Sequence, residues 1–170
     1  MNTPAALILT LQLDERSFAF FDEQRRRYFP PGRNFIPAHL TLFHALPGEQ
    51  LAAIQNDIET TISGQQPFKL DVTGLRSLGR GVAYALESSE LSRVRRHLAL
   101  GWNDWLKPQD RQNHNPHVTV QNKVDPTQAR ALLEDLKEGF QPFEVTGTGL
   151  DLWWYRGGPW EKVRTFVFQQ

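Results

Sequence analysis

At 170 residues, with 39% hydrophobic and 22% charged side chains, the chain has the size and composition of one compact domain spanning 1–170, which excludes disordered and fibrous architectures. Its 19 Lys and Arg balance 19 Asp and Glu, so no global positive field draws in a long nucleic acid, and such a partner is expected to be short or gripped locally. The lack of cysteine excludes disulfide frameworks, thiolate zinc sites and Cys nucleophiles, and fits a reducing cytoplasm.

Met1 to Leu13 has an apolar run from Ala5 to Leu9 but no basic leader or small-residue cleavage site, and Asp14-Glu15-Arg16 follow at once. Leu7, Leu9, Leu11 and Leu13 alternate with Ile8, Thr10 and Gln12, the pattern of a first strand with one face buried. No apolar stretch approaches the ~18 residues of a membrane span, so a soluble, cytoplasmic monomer without a membrane partner is expected. From about Glu15 to Tyr28, Phe18, Phe21 and Arg25 fall at helical spacing, and Pro30-Pro31-Gly32 stop the helix. A strand from Ala38 to Leu46 leads through Pro47-Gly48 to a helix from about Glu49 to Ile62, with Leu51, Ile54 and Ile58 on one face. Phe68, Leu70, Val72 and the segment Val82 to Leu86 flank Gly79-Arg80-Gly81 as a hairpin flanks its turn.

The second half repeats this grammar. Leu91, Val94, Leu98 and Trp102 mark a helix over about Glu90 to Leu106, and Pro108 opens a polar loop to Asn115. A strand from His117 to Val124 leads into Pro126 and a helix to about Glu138. Phe143, Val145, Leu150, Leu152 and Trp154 alternate, Gly157-Gly158-Pro159 turn, and Val163 to Phe168 return. Strand-helix-strand-helix-hairpin followed by helix-strand-helix-hairpin describes two similar lobes with no separable linker.

Both halves carry one short pattern at matching places, His39-Leu40-Thr41-Leu42 and His117-Val118-Thr119-Val120. Strand side chains alternate, so each His shares a face with its Thr, while Leu40 and Leu42, or Val118 and Val120, face the other side. Pro37 and Pro116 set each His at a strand start. Two imidazoles can serve as base and acid in one displacement without a metal or other cofactor. The two Thr hydroxyls can donate hydrogen bonds to charge that develops beside them. Which His is the base is left open, because it swaps with the direction of reaction.

The duplicated motif, together with the order of elements over nearly the whole chain, resembles the 2H phosphoesterase superfamily, which includes bacterial 2′-5′ RNA ligase-like proteins and 2′,3′-cyclic phosphodiesterases. Pro37 to Leu46 is similar to the bacterial branch in particular. The resemblance implies a bilobal α+β fold of two pseudo-symmetric lobes, with antiparallel-rich sheets facing a central cleft and helices outside. It implies His39, Thr41, His117 and Thr119 as the catalytic set, and opening of 2′,3′-cyclic phosphates to 2′-phosphates or chemistry on 2′-5′ linkages. The expected partner is an RNA end or a small cyclic nucleotide. A nonenzymatic module binding nucleotide or RNA ends in the same cleft, and an enzyme of the same mechanism acting on a non-RNA phosphodiester, are the alternatives.

Substrate-binding candidates follow. Phe43 and Gln121 share the parity of the motif face, and Arg33 precedes the first motif strand. Leu152-Trp153-Trp154-Tyr155-Arg156 resembles the family's strand ending near the cleft, which implies stacking by Tyr155 or Trp153 and a phosphate contact from Arg156. His44 has parity opposite to His39, and the Arg93-Arg95-Arg96-His97 run reads as a solvated helix face. His114-x-x-His117 straddles a proline and lacks an acidic partner, so no zinc site is expected, and no phosphate-binding Gly-rich loop supports an ATP-dependent ligase.

Overall fold

The computed structural model describes residues 5–170; Met1 to Pro4 of the N-terminal stretch lie outside the described residues. Along the chain run β1 (Ala6–Leu13), α1 (Glu15–Tyr28), β2 (Leu40–Pro47), α2 (Leu51–Ile62), β3 (Phe68–Ser77), β4 (Val82–Glu87) and α3 (Ser89–Gly101). The short α4 (Pro108–Arg111), β5 (His117–Gln121), α5 (Pro126–Glu138), β6 (Phe143–Tyr155) and β7 (Glu161–Val167) complete the order. α4 occupies part of the stretch read as loop; one turn is too short to show a period, although Pro108 at its start is a favoured opening. Asp14 caps α1, accepting the Ser17 N–H at 3.1 Å, and also accepts the Thr146 N–H at 3.0 Å, which ties the helix to β6.

Among the described residues seven strands join in one open antiparallel sheet of order β2-β1-β6-β3-β4-β5, with β7 also on β6. β6 makes this possible. Its 13 residues, about 43 Å of extended chain, pair through Phe143–Gly147 with β3 and through Gly147–Tyr155 with β1. The two expected sheets are therefore the two halves of one sheet, sharing β6. The lobes also interleave: β1 and β2 pair into the half completed by β6 and β7, whereas β3 pairs with β6 and β4 with β5 of the second half. α1 packs on β5, α5 on β3 and β4, and α2 against α3. The buried cluster runs through both halves from Leu7, Leu9 and Leu40 to Leu70, Val118 and Leu152. Among the described residues no helix is long and apolar enough to cross a membrane.

Two irregularities in this sheet decide what faces the cleft. Thr10 opposes Thr41 but Leu9 opposes Phe43, leaving Leu42 as an extra residue; Ala83 opposes Thr119 but Val82 opposes Gln121, leaving Val120 extra. Each motif strand thus carries a bulge directly after its Thr. Leu42 and Phe43 are both buried, as are Val120 and Gln121, so two consecutive residues turn inward and the alternation reverses beyond them. Gly81 sits opposite the second bulge, where a Cβ would fall 1.9 Å from the Gln121 carbonyl oxygen, so only glycine fits.

Candidate active site

His39 lies immediately before β2 and His117 begins β5. β2 pairs only with β1 and β5 only with β4, so these are the two ends of the sheet path, and the curled sheet brings them close. A cavity of about 150 Å³ between them is lined by Ile8, His39, Thr41, His44, His117, Thr119 and Trp160. The sequence-predicted quartet is therefore assembled in one small space.

The two motif histidines are held alike. His39 Nδ1 is 2.9 Å from the Pro37 carbonyl oxygen, and His117 Nδ1 is 2.8 Å from that of Asn115. A carbonyl only accepts, so Nδ1 carries the hydrogen in each ring and Nε2 is left for the cavity. Burial pushes His39 down to about 4, with the positive charge of Arg25 and the other histidines adding to it against the Pro37 hydrogen bond. His117 is lowered as well, by burial first and then by Arg76, whose Nη1 lies 3.4 Å from its Nδ1. Both rings are consequently neutral at neutral pH.

Each bulged Thr is secured by a side chain from the other half of the chain. At these sheet edges the motif carbonyls have no neighbouring strand. His114 Nε2 donates to the Thr41 carbonyl at 2.9 Å, and Arg25 Nη1 of α1 donates to the Thr119 carbonyl at 3.1 Å. Arg25 is itself buried, bonded to Asn34 Oδ1 at 2.9 Å and stacked 4.2 Å over Phe29. His114, a weak match to metal-ligand spacing in the sequence, is thus a brace, and burial pushes it down to about 4.

The remaining candidates fall elsewhere. Phe43 is fully buried between Trp102, at 5.1 Å between centroids, and the Arg95 guanidinium, 4.4 Å from its ring. Gln121 is buried with its Oε1 unpartnered. The bulges remove both from the cleft. Tyr155 is 44% exposed at the end of β6, and Arg156 beyond it pairs with Glu161 across the β6–β7 turn and covers Trp154. Arg33 is exposed in the 3-10 turn Pro31–Arg33, and none of these three lines the cavity. Arg95 is not a solvated member of its run: it donates to the Leu42 and Asp110 carbonyls.

Trp160 and His44 are the site residues that sequence reasoning missed. The Trp160 ring lies 4.6 Å from that of His39 and 6.1 Å from Trp153. His39 and Trp160 also border a neighbouring pocket of about 360 Å³, whose lining includes Thr10, Gln12, Phe18, Asp151, Trp153 and Lys162. On the β5 side, Arg76 and Asn115 border a groove of about 550 Å³ that includes Ser88, Ser89 and Ser92 at the start of α3.

Residues 13–159 match the family model of the 2′-5′ RNA ligase superfamily. The fold is similar to the crystal structure of TT0787 of Thermus thermophilus, with a TM-score of 0.69 and 18% identity, covering 96% of this chain and 97% of that one. It is similar to apo LigT of E. coli, with a TM-score of 0.59 and 17% identity over 99% and 100% of the chains. LigT complexed with 3′-AMP aligns with a TM-score of 0.55 and 18% identity over 98% and 99%. No curated protein sequence matches.

Proposed function

The chain belongs to the 2′-5′ RNA ligase superfamily, and from that premise we propose that it opens 2′,3′-cyclic phosphates of RNA ends or small nucleotides to 2′-phosphates, using His39 and His117 as its acid-base pair. The observation that carries this reading is the convergence of both His–Thr pairs on one cavity, with each imidazole tied at Nδ1 and free at Nε2. Burial holds His39 neutral, so we assign it as the base that takes a proton from the attacking water. The water oxygen bonds to phosphorus, the P–O3′ bond breaks, and His117 protonates the departing 3′ oxygen. The anionic phosphate beside His117 favours its charged form, and the neighbouring Arg76 makes that imidazolium a ready proton donor. Thr41 and Thr119, which line the same cavity, donate to the non-bridging oxygens. No step requires a metal.

The pocket beyond His39 suits a nucleobase. Trp153 and Trp160 supply aromatic faces, while Thr10, Gln12, Asp151 and Lys162 supply polar edges. A neutral chain favours a short substrate over a long RNA, and a nucleotide in the fold-related LigT, which holds 3′-AMP, is consistent with that class. The test is incubation with the four nucleoside 2′,3′-cyclic monophosphates in EDTA, followed by separation of 2′- and 3′-monophosphates. A 2′-phosphate product that vanishes in the His39→Ala/His117→Ala variant is expected. No product from any of the four, or equal product from the variant, overturns the proposal.

A further inference from the structure

His44 does not belong to either motif, and plain strand alternation would point it away from His39. The bulge at Leu42 reverses that alternation, and His44 lines the same cavity as His39, Thr41, His117 and Thr119. Behind it stands Asp110, on the one-turn helix α4, with 1% of its side chain exposed. The Asp110 carboxylate accepts the backbone N–H of His44 at 2.9 and 3.0 Å, the N–H of Ala45 at 3.0 Å and His44 Nδ1 at 3.0 Å. Burial alone would raise this carboxyl group, but the four hydrogen bonds outweigh it and hold it below its ordinary value, so it is ionised and can only accept. His44 Nδ1 therefore carries a hydrogen, and the ring offers Nε2 to the cavity.

This is a different arrangement from that of the two motif histidines. Those rings rest on neutral carbonyls, whereas His44 rests on a buried anion. No Lys or Arg side chain among the described residues contacts the Asp110 carboxylate; the nearby Arg95 takes its backbone carbonyl instead, at 2.7 Å. The charge of Asp110 is felt by Arg95 as well, but His44 is the side chain that joins the carboxylate to the cavity.

We propose that His44 is a third, anion-binding histidine of the site, donating from Nε2 to a non-bridging oxygen when a phosphate group enters, so that its ring bridges phosphate and Asp110. The groups facing it are His39 ahead of β2, His117 on β5, His114 in the preceding loop and Asp110 on α4, with Arg95 of α3 against its strand. With His39 kept as base and His117 as acid, His44 supplies a charge-assisted bond whose role is to hold the phosphate between them. This rests on the proposed phosphoesterase reading for its substrate, but the anion site can be measured without turnover.

The experiment titrates the purified protein with inorganic phosphate and follows the imidazole nitrogens by ¹⁵N NMR. The wild-type His44 Nε2 resonance is expected to shift as phosphate binds. His44→Phe should bind phosphate roughly tenfold or more weakly, and His44→Gln, which keeps a side-chain donor but not the ring, should lie between. For cyclic phosphate, KM should rise in His44→Phe with kcat changed far less. An unmoved His44 resonance in the wild type, or full phosphate affinity in a folded His44→Phe, overturns the proposal even if cyclic phosphates are opened. Phosphate binding that depends on His44, in a protein that opens none of them, would instead overturn the function and leave the anion site standing.

Discussion

Acid should weaken this protein in a window set by two braced histidines. His39 and His114 are both pushed down to about 4, from 6.5 in the unfolded chain. Between those values the unfolded state takes up protons that the folded state refuses, so stability falls as pH drops through 6.5 and levels near 4. At about 1.4 kcal/mol for each pKa unit, the difference of about 2.5 sets a ceiling of roughly 3 kcal/mol for each ring, which partial access to solvent holds down. His117, lowered in the same direction, adds to the loss. Asp14 and Asp110 are lowered from 3.8, each because its hydrogen bonds outweigh burial, so their contributions disappear only below pH 4, outside this window. Urea unfolding at pH 7, 5.5 and 4.2 measures the slope, and His114→Gln isolates one share of it. The Gln side-chain N–H can still donate to the Thr41 carbonyl but does not titrate, so the variant should match wild type at pH 7 and exceed it by about 1–3 kcal/mol at pH 4.2. Parallel loss in the two proteins would refute the claim that His114 is held neutral against Thr41.

If His39 is the base and His117, lowered from its ordinary value, the acid, kcat/KM for a cyclic phosphate should rise as pH falls below neutrality and then drop with an acid limb near 4; an acid limb at 6.5 in a pH–rate profile would reassign the base. Gly81→Ala should cost about 2–3 kcal/mol in urea unfolding and lower activity, because its Cβ meets the Gln121 backbone rather than a movable side chain; unchanged stability would remove the close approach. Trp160→Ala should raise KM for nucleoside cyclic phosphates roughly fivefold or more while leaving inorganic phosphate affinity unchanged, and equal losses for both ligands would place the ring against phosphate instead of a base.

What the sequence conveyed about the site, and what it withheld, divides at the bulges. Periodicity located the elements well: α1 at Glu15–Tyr28 and α5 at Pro126–Glu138 end where their turn residues indicate. The His–Thr spacing was readable because two residues of regular strand carry it. Beyond each Thr the extra residue has no compositional signature, since Leu42 and Val120 are ordinary strand residues, and parity then points the wrong way for Phe43, His44 and Gln121. Gly81 is the one trace of the irregularity in sequence, and it lies far along the chain from the Gln121 backbone that it accommodates. Trp160 and Asp110 were hidden for a different reason. One follows a turn and the other sits on a single helical turn, and only the tertiary fold places them beside the motifs.

The same bulges explain why the two halves of the chain must interleave for the site to exist. A regular edge strand exposes a row of unpaired carbonyls to solvent or to another chain. Here the carbonyls of Thr41 and Leu42 are taken by His114 and Arg95 from later in the chain, and that of Thr119 by Arg25 from earlier. Each motif is therefore braced by the half to which it does not belong, and neither half alone contains both a motif and its brace. Replacing Arg25 by Met, 94 residues from Thr119, should accordingly disturb the His117 side of the cleft before the His39 side. Because the His39 ring also loses the charge of Arg25, the readout is the backbone: amide NMR would show larger shifts over 118–121 than over 40–43, and the opposite order would mean that the bulges hold their shape without the cross-braces.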